Sequence, residues 1–282
     1  MKNLELIDTL ISSVEDVKKY VFKYNEDILE VSYIRKNDGK DILCVPCQTS
    51  CNLGCSFCHL TGLGIKTKNL TAFEIIRLVD ECMYLQPPAN PTLLLSFMGA
   101  GESLMNCDNV LSAACQLLEY PGYNNVRFGV ASILPSRVKF NRFKDIVINN
   151  KLPVKLHWSL HSLDEISRKS LMPAASNIQD SIKMVNEYIE ETGNPAEIHY
   201  TLIDGVNDRD EDLDKFIKYV GKNATIKFLR FAEKNGELKE STKVQFFKKE
   251  LENNGFKVEV YAPPGRDIHS SCGQFILDQY TK

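Results

Sequence analysis

Six short apolar runs alternate with six longer amphipathic stretches along this chain, and no other feature narrows its fold as far. The runs are residues 42–45, 92–98, 126–131, 154–160, 198–203 and 225–231. The amphipathic stretches are 71–85, 109–119, 135–149, 178–190, 211–220 and 242–253. A run that is apolar throughout suits a strand buried on both faces, as in a parallel sheet. Crossovers between parallel strands are right-handed, so six such units curl into an open barrel. The expected fold class is α/β, a partial (β/α)6 barrel of the TIM type. Thr71 with Glu74 three residues on reads as a capping box at the first helix. Ahead of the barrel, residues 19–24 and 28–35 alternate apolar and polar around Asn25-Glu26-Asp27, the pattern of a β-hairpin. Residues 1–40 are thus expected to form a short N-terminal extension and residues 41–282 the barrel, with a cysteine-bearing loop at its end.

Length and composition permit this. The chain has 282 residues, 43% of them hydrophobic, enough for a full core. No run of about 18 apolar residues is present, so no membrane span is expected. The opening MKNLELIDTL lacks the apolar stretch of a secretory signal. Cytoplasmic residence is the expectation, and there nine cysteines point to metal or redox chemistry rather than disulfide staples. A net charge of −3 excludes a global basic field of the kind that drives nonspecific nucleic-acid binding. Lys66, Lys68, Arg168 and Lys169 remain as local cations able to meet phosphates.

The chemistry is concentrated in CNLGCSFC. Cys51, Cys55 and Cys58 are spaced to hold three corners of a 4Fe–4S cluster and leave one iron open. An open iron can chelate the amino and carboxylate groups of S-adenosylmethionine (SAM), and electron transfer from the cluster then releases a 5′-deoxyadenosyl radical. The competing reading is a structural zinc site, whose ligands usually come as two separated pairs; His59 is a possible fourth ligand.

Ligands of a parallel barrel gather at the carboxyl ends of its strands, and three segments stand out there. Met98-Gly99-Ala100-Gly101-Glu102 follows the second run, where glycines admit close backbone approach and Glu102 can accept from an ammonium group. Ser159-Leu160-His161-Ser162 ends the fourth. Ser270-Ser271-Cys272-Gly273-Gln274 follows a strand-like 256–261 and a Pro-Pro-Gly turn. Cys44 and Cys47 flank the cluster motif as redox partner, spare ligand or core filler. Cys82, Cys107, Cys115, Met105, Met172 and Met184 read as packing.

Together, ILEVSYI, LCVPCQTSCNLGCSFC, KNLT, FMGAGESLMN, SLHSLDEISRKSLMP, YTLIDGVND and GRDIHSSCGQF resemble the RlmN/Cfr family of radical SAM RNA-adenine methyltransferases, from about residue 17 to about residue 275. The resemblance implies a radical SAM barrel holding a 4Fe–4S cluster and SAM. Cys51, Cys55 and Cys58 would ligate the cluster, and Gly101, Glu102, Ser159, Leu160 and His161 would contact SAM. Cys272 would carry a methyl group, and Cys44 would form a disulfide with it to release product. Glu30 would transfer a proton. The implied substrate is adenosine in ribosomal or transfer RNA, methylated at C2 or C8. The implied reductant is of the flavodoxin or ferredoxin kind, and a monomer is favoured. Departures include a missing or reduced N-terminal accessory domain, Ser103 after Gly101-Glu102, Val130-Ala131-Ser132, Ala232, Tyr261, Pro264 and the extra thiol Cys47. They keep two alternatives open: the same chemistry on a non-RNA or small substrate, and a non-catalytic iron–sulfur protein.

Overall fold

Ten strands hydrogen-bond in the order in which the chain makes them, as seen in a computed structural model that describes residues 4–231, 238–270 and 274–275. Strands β1 (Leu4–Ile11), β2 (Val17–Tyr24), β3 (Asp27–Lys36) and β4 (Lys40–Cys44) form an antiparallel meander. From β4 the pairing turns parallel, through β5 (Thr92–Phe97), β6 (Asn125–Ser132), β7 (Val154–Ser159), β8 (Ala196–Tyr200), β9 (Thr225–Leu229) and β10 (Val258–Tyr261). The six apolar runs became β4 to β9, and the strand-like 256–261 became a seventh parallel strand.

Helices α1 (Ala72–Leu85), α2 (Cys107–Leu117), α3 (Arg137–Asn149), α5 (Ile178–Thr192), α6 (Asp210–Tyr219) and α7 (Val244–Asn253) supply the crossovers. Helix α4 (Glu165–Leu171) is an additional short element. The Thr71–Glu74 capping box is present, and the Glu74 carboxylate also accepts from the Tyr24 hydroxyl. That bond joins the first barrel helix to the meander.

Two elements were not expected from the sequence. β1 has the burial pattern of a largely exposed edge strand, so it shows no apolar alternation to read. α4 buries only Arg168 and Leu171, too few positions to set a helical period. Arg168 itself is a correction: expected as a phosphate-facing cation, it is 1% exposed. Met105, expected in the core, is exposed, whereas Met172, Met184, Cys82 and Cys107 are buried as expected. Among the described residues, no helix is long and apolar enough to cross a membrane.

Candidate active site

The loop after β4 carries Cys51, Cys55 and Cys58, each half-buried. It is built by short-range bonds: Cys58 N donates to Cys55 O at 3.1 Å, and the Thr61 hydroxyl donates to the same carbonyl at 2.7 Å. Its outer side rests on the exit of α4, where Ser56 N donates to Leu171 O at 2.9 Å. Burial pushes the Cys51 thiol up to about 11 and the Cys55 thiol up to about 12, and the neighbouring Cys58 adds to both. Thiols whose thiolate forms would repel one another in a half-buried loop suit a cationic metal centre, because a bound metal deprotonates its thiols and offsets their charge. The donor set therefore fits an iron–sulfur cluster held at three corners.

Beside these thiols lies a cleft, partly open to solvent, whose far wall includes Met98, Gly101, Glu102, Ser132 and Ser159. Two of the glycines have a packing reason of their own. A Cβ on Gly99 would lie 2.7 Å from Pro46 N, and one on Gly101 would lie 2.7 Å from Cys47 Sγ, where φ is +109°. These contacts press the β5 exit onto the chain leading into the cysteine loop, and both Cys47 N and Gln48 N donate to Ala100 O, at 2.9 and 3.1 Å. Cys47 is buried core, its thiol pushed far up by burial. It acts as filler, one of the roles left open for it.

Glu102 is buried at the cleft wall and braces it. Its carboxylate accepts from Leu104 N and Ile133 N, both at 3.1 Å, while its own N–H donates to Gln48 Oε1 at 2.8 Å. Burial pushes the carboxyl up, against hydrogen bonds from Ser132 and the two amides. Each carboxylate oxygen can accept two bonds, so capacity remains for a ligand ammonium group.

Ser159 faces the cleft, but Leu160 and His161 are buried beside it. His161 takes a φ of +48°; its Nδ1 accepts from Thr201 N at 3.1 Å and its ring meets Phe57 of the cysteine loop edge-on at 4.9 Å. Burial lowers its pKa to about 3, so the imidazole is neutral. Arg168 lies beneath this strand end. Its guanidinium donates to Leu160 O at 2.6 Å, Ser159 O at 3.2 Å and Ile133 O at 3.3 Å. A cation here fixes the carbonyls of two strand exits at once.

A second polar group, which sequence reasoning missed, sits deeper along β7 and β8. Glu197 Oε2 is 3.2 Å from His157 Nδ1, 3.6 Å from His199 Nε2 and 2.7 Å from Lys227 Nζ, and Oε1 is 2.5 Å from Lys155 Nζ. Burial pushes this carboxyl up, but these neighbours hold it well below the usual range, and burial takes His157 down to about 3. His157, Glu197 and His199 have metal-ligand chemistry, yet two ammonium groups already neutralise the carboxylate. The alternation of Lys155, His157 and Ser159 along one strand was the available signal.

The remaining expected residues meet on the meander. Lys19 pairs with Ser32 and Ser32 with Cys44 across β2, β3 and β4, so the three form one row. Glu30, 6% exposed, takes the Lys19 ammonium on Oε2 at 2.5 Å. From the far end of the chain, the Ser270 hydroxyl donates to Ser32 Oγ at 2.5 Å, and Phe275 lines the cleft. Cys272, like Ala232, lies outside the described residues.

No protein-family model matches the chain. Curated relatives do. One from Caldanaerobacter subterraneus subsp. tengcongensis, described as "Probable dual-specificity RNA methyltransferase RlmN", is 30% identical over 97% of this chain and 80% of its own length. Another so described, from Clostridium perfringens, is 32% identical over 96% of this chain and 78% of its own. Among solved structures, a radical SAM methyltransferase from Sphaerobacter thermophilus superposes with a TM-score of 0.85 at 25% identity, covering 98% of this chain and 82% of that one. Matches of this extent across a chain whose three-cysteine loop lines a cleft with the β5 and β7 exits lead to one conclusion: the chain belongs to the RlmN family of radical SAM RNA methyltransferases.

Proposed function

We propose that this chain methylates C2 or C8 of adenosine in RNA, with Cys272 as methyl carrier and Cys44 as the thiol that releases the product. The observation that carries the reading is the convergence of the cysteine loop, the β5 and β7 exits and Phe275, three residues beyond Cys272, upon one cleft. Cys51, Cys55 and Cys58 would hold a 4Fe–4S cluster, and Gly101, Glu102 and Ser159 would line the SAM pocket. The cluster and SAM, when bound, supply a carbon-centred radical able to take a hydrogen atom from a methyl group.

The chain's own residues do the rest. Glu102 presents unfilled acceptor capacity to an ammonium group, and Arg168 and His161 hold the β7 exit rigid behind the pocket. A methyl group tethered on Cys272 reaches an electron-poor ring carbon without diffusing, and tethering divides one hard step into easier ones. Glu30, hydrogen-bonded to Lys19, is suited to take up the proton from that carbon. Once the adduct's unpaired electron has passed to a one-electron acceptor, which the oxidised cluster would supply, attack of the Cys44 thiolate on the sulfur of Cys272 breaks the S–CH2 bond as the disulfide forms, and the freed methylene carbon takes a proton to become the methyl group of the product. An external one-electron donor, of the flavodoxin or ferredoxin class, serves the cluster. Cytoplasmic residence and a monomeric state belong to the same reading.

The test is a comparison of nucleosides by mass spectrometry from cells with and without the protein. A methyladenosine lost on deletion and restored by the wild-type chain supports the proposal; an unchanged nucleoside profile contradicts it. A second reading, the same chemistry on a smaller substrate, draws on the net charge of −3 and on the burial of Arg168 away from any phosphate. Cys44→Ala discriminates the two, since it should stall with substrate attached at Cys272. An attached metabolite or peptide favours the second reading; attached RNA favours the first.

A further inference from the structure

We propose that Lys19 is a positioning residue, latching the segment that leads to Cys272 onto Glu30 beside Cys44. The inference rests on the carrier role of Cys272 proposed above only for its consequence; the latch itself lies within described residues.

Lys19 is 1% exposed in the middle of β2. Its ammonium has two acceptors of different origin: Glu30 Oε2 at 2.5 Å, on the neighbouring strand, and the carbonyl of His269, 250 residues away. Burial lowers the ammonium's pKa, while Glu30, and to a lesser degree Cys44, push it back up. Cys44 therefore stands within electrostatic reach of the same cation. An ammonium has three donors and no acceptor, so one lysine can hold a carboxylate and a carbonyl together. Bonds to a charged donor are strongest where solvent is excluded.

The docked segment is pre-shaped. Ser270 N donates to Gly265 O at 2.8 Å, and Gly265 N donates to Glu15 Oε2 at 2.6 Å. A Cβ on Gly265, where φ is +76°, would lie 2.7 Å from Ser270 Cβ and 2.9 Å from Val17 Cγ1. The turn is thus pressed against the start of β2, and the Ser270–Ser32 hydroxyl bond completes it. Ser12 and Asp267 pair at its outer rim, where water competes. Lys19 is the buried charged contact, and the His269 acceptor is backbone, which explains why no side-chain motif announces it.

The function of the latch is to hold the residues before Cys272 at the row that contains Cys44. A carrier must visit both the cleft and its releasing thiol, and anchoring one end of a short segment raises its effective concentration at both.

Two readouts on the full, cluster-loaded chain test this in Lys19→Met, Lys19→Arg and Glu30→Gln. The first is hydrogen–deuterium exchange of the peptide spanning residues 265–270. The second is the rate of Cys44–Cys272 disulfide formation under diamide, which accepts the two electrons and two protons released by the thiols. Lys19→Met should raise exchange in that peptide about tenfold, with α3 unaffected, and slow disulfide formation. Lys19→Arg should lie between it and wild type. If Lys19→Met misfolds, Glu30→Gln, which keeps the shape but removes the charge, should show the same loosening to a smaller degree. Unchanged exchange and an unchanged disulfide rate in a folded Lys19→Met would overturn the latch. Loosening in a protein whose wild type forms no Cys44–Cys272 disulfide supports the latch and instead contradicts the carrier role.

Discussion

His161 illustrates how one side chain near the cleft couples pH to stability. Its folded pKa, about 3, lies below the ordinary value of 6.5, so between those values the unfolded chain binds a proton that the folded chain refuses. Stability contributed by this residue is present above pH 6.5 and declines as pH falls toward 3. At pH 5 the loss is about 2 kcal/mol relative to pH 7. Denaturant unfolding at the two pH values checks it, and His161→Asn, which keeps an acceptor for Thr201 N, should remove that part of the slope. Gly101 makes a steric statement at the same scale. Gly101→Ala places a Cβ against Cys47 Sγ at a φ of +109°, and about 2 kcal/mol of destabilisation is expected in the same assay.

At the scale of the element, α4 is the platform on which the cysteine loop and two strand exits rest. Its Leu171 carbonyl holds Ser56 of the cysteine loop, and its Arg168 holds the β6 and β7 exits. Arg168→Met should lower stability by about 3 kcal/mol, since it leaves several buried carbonyls without donors, with a matching fall in melting temperature. Thermal unfolding of the chain before cluster loading measures this. α4 also marks where sequence reading stops. The strands β4 to β9 were legible because a run such as Leu93-Leu94-Leu95 is apolar on both faces of its strand, and Thr71 with Glu74 announced α1 by its own capping chemistry. Seven residues with two buried positions set no period, and Arg168 looks solvated until tertiary structure encloses it. The cysteine loop was legible because spacing alone defines it. The Glu197 network was not, since its members are spread over three strands, β7, β8 and β9, that only the folded sheet brings together.

For the whole molecule, the meander of β1 to β4 and the turn at residues 265–270 close on one another. The meander pairs edge to edge with the barrel at β4, and the turn at residues 265–270 returns to β2 and β3. Cys44 and the approach to Cys272 are brought near each other by this closure, which neither segment's local sequence encodes. Replacing Cys51, Cys55 or Cys58 with Ala should abolish the iron–sulfur absorbance together with SAM cleavage. Replacing Cys272 should leave that absorbance intact, a separation read by visible spectroscopy of reconstituted protein. The most direct measurement incubates the reconstituted chain with SAM, a low-potential reductant and RNA from cells lacking the protein, then analyses the digested nucleosides by mass. Wild type should yield adenosine heavier by one methylene unit, and Cys272→Ala and Cys55→Ala should yield none. Methyladenosine formed by Cys272→Ala, or none formed by wild type while 5′-deoxyadenosine accumulates, would contradict the account.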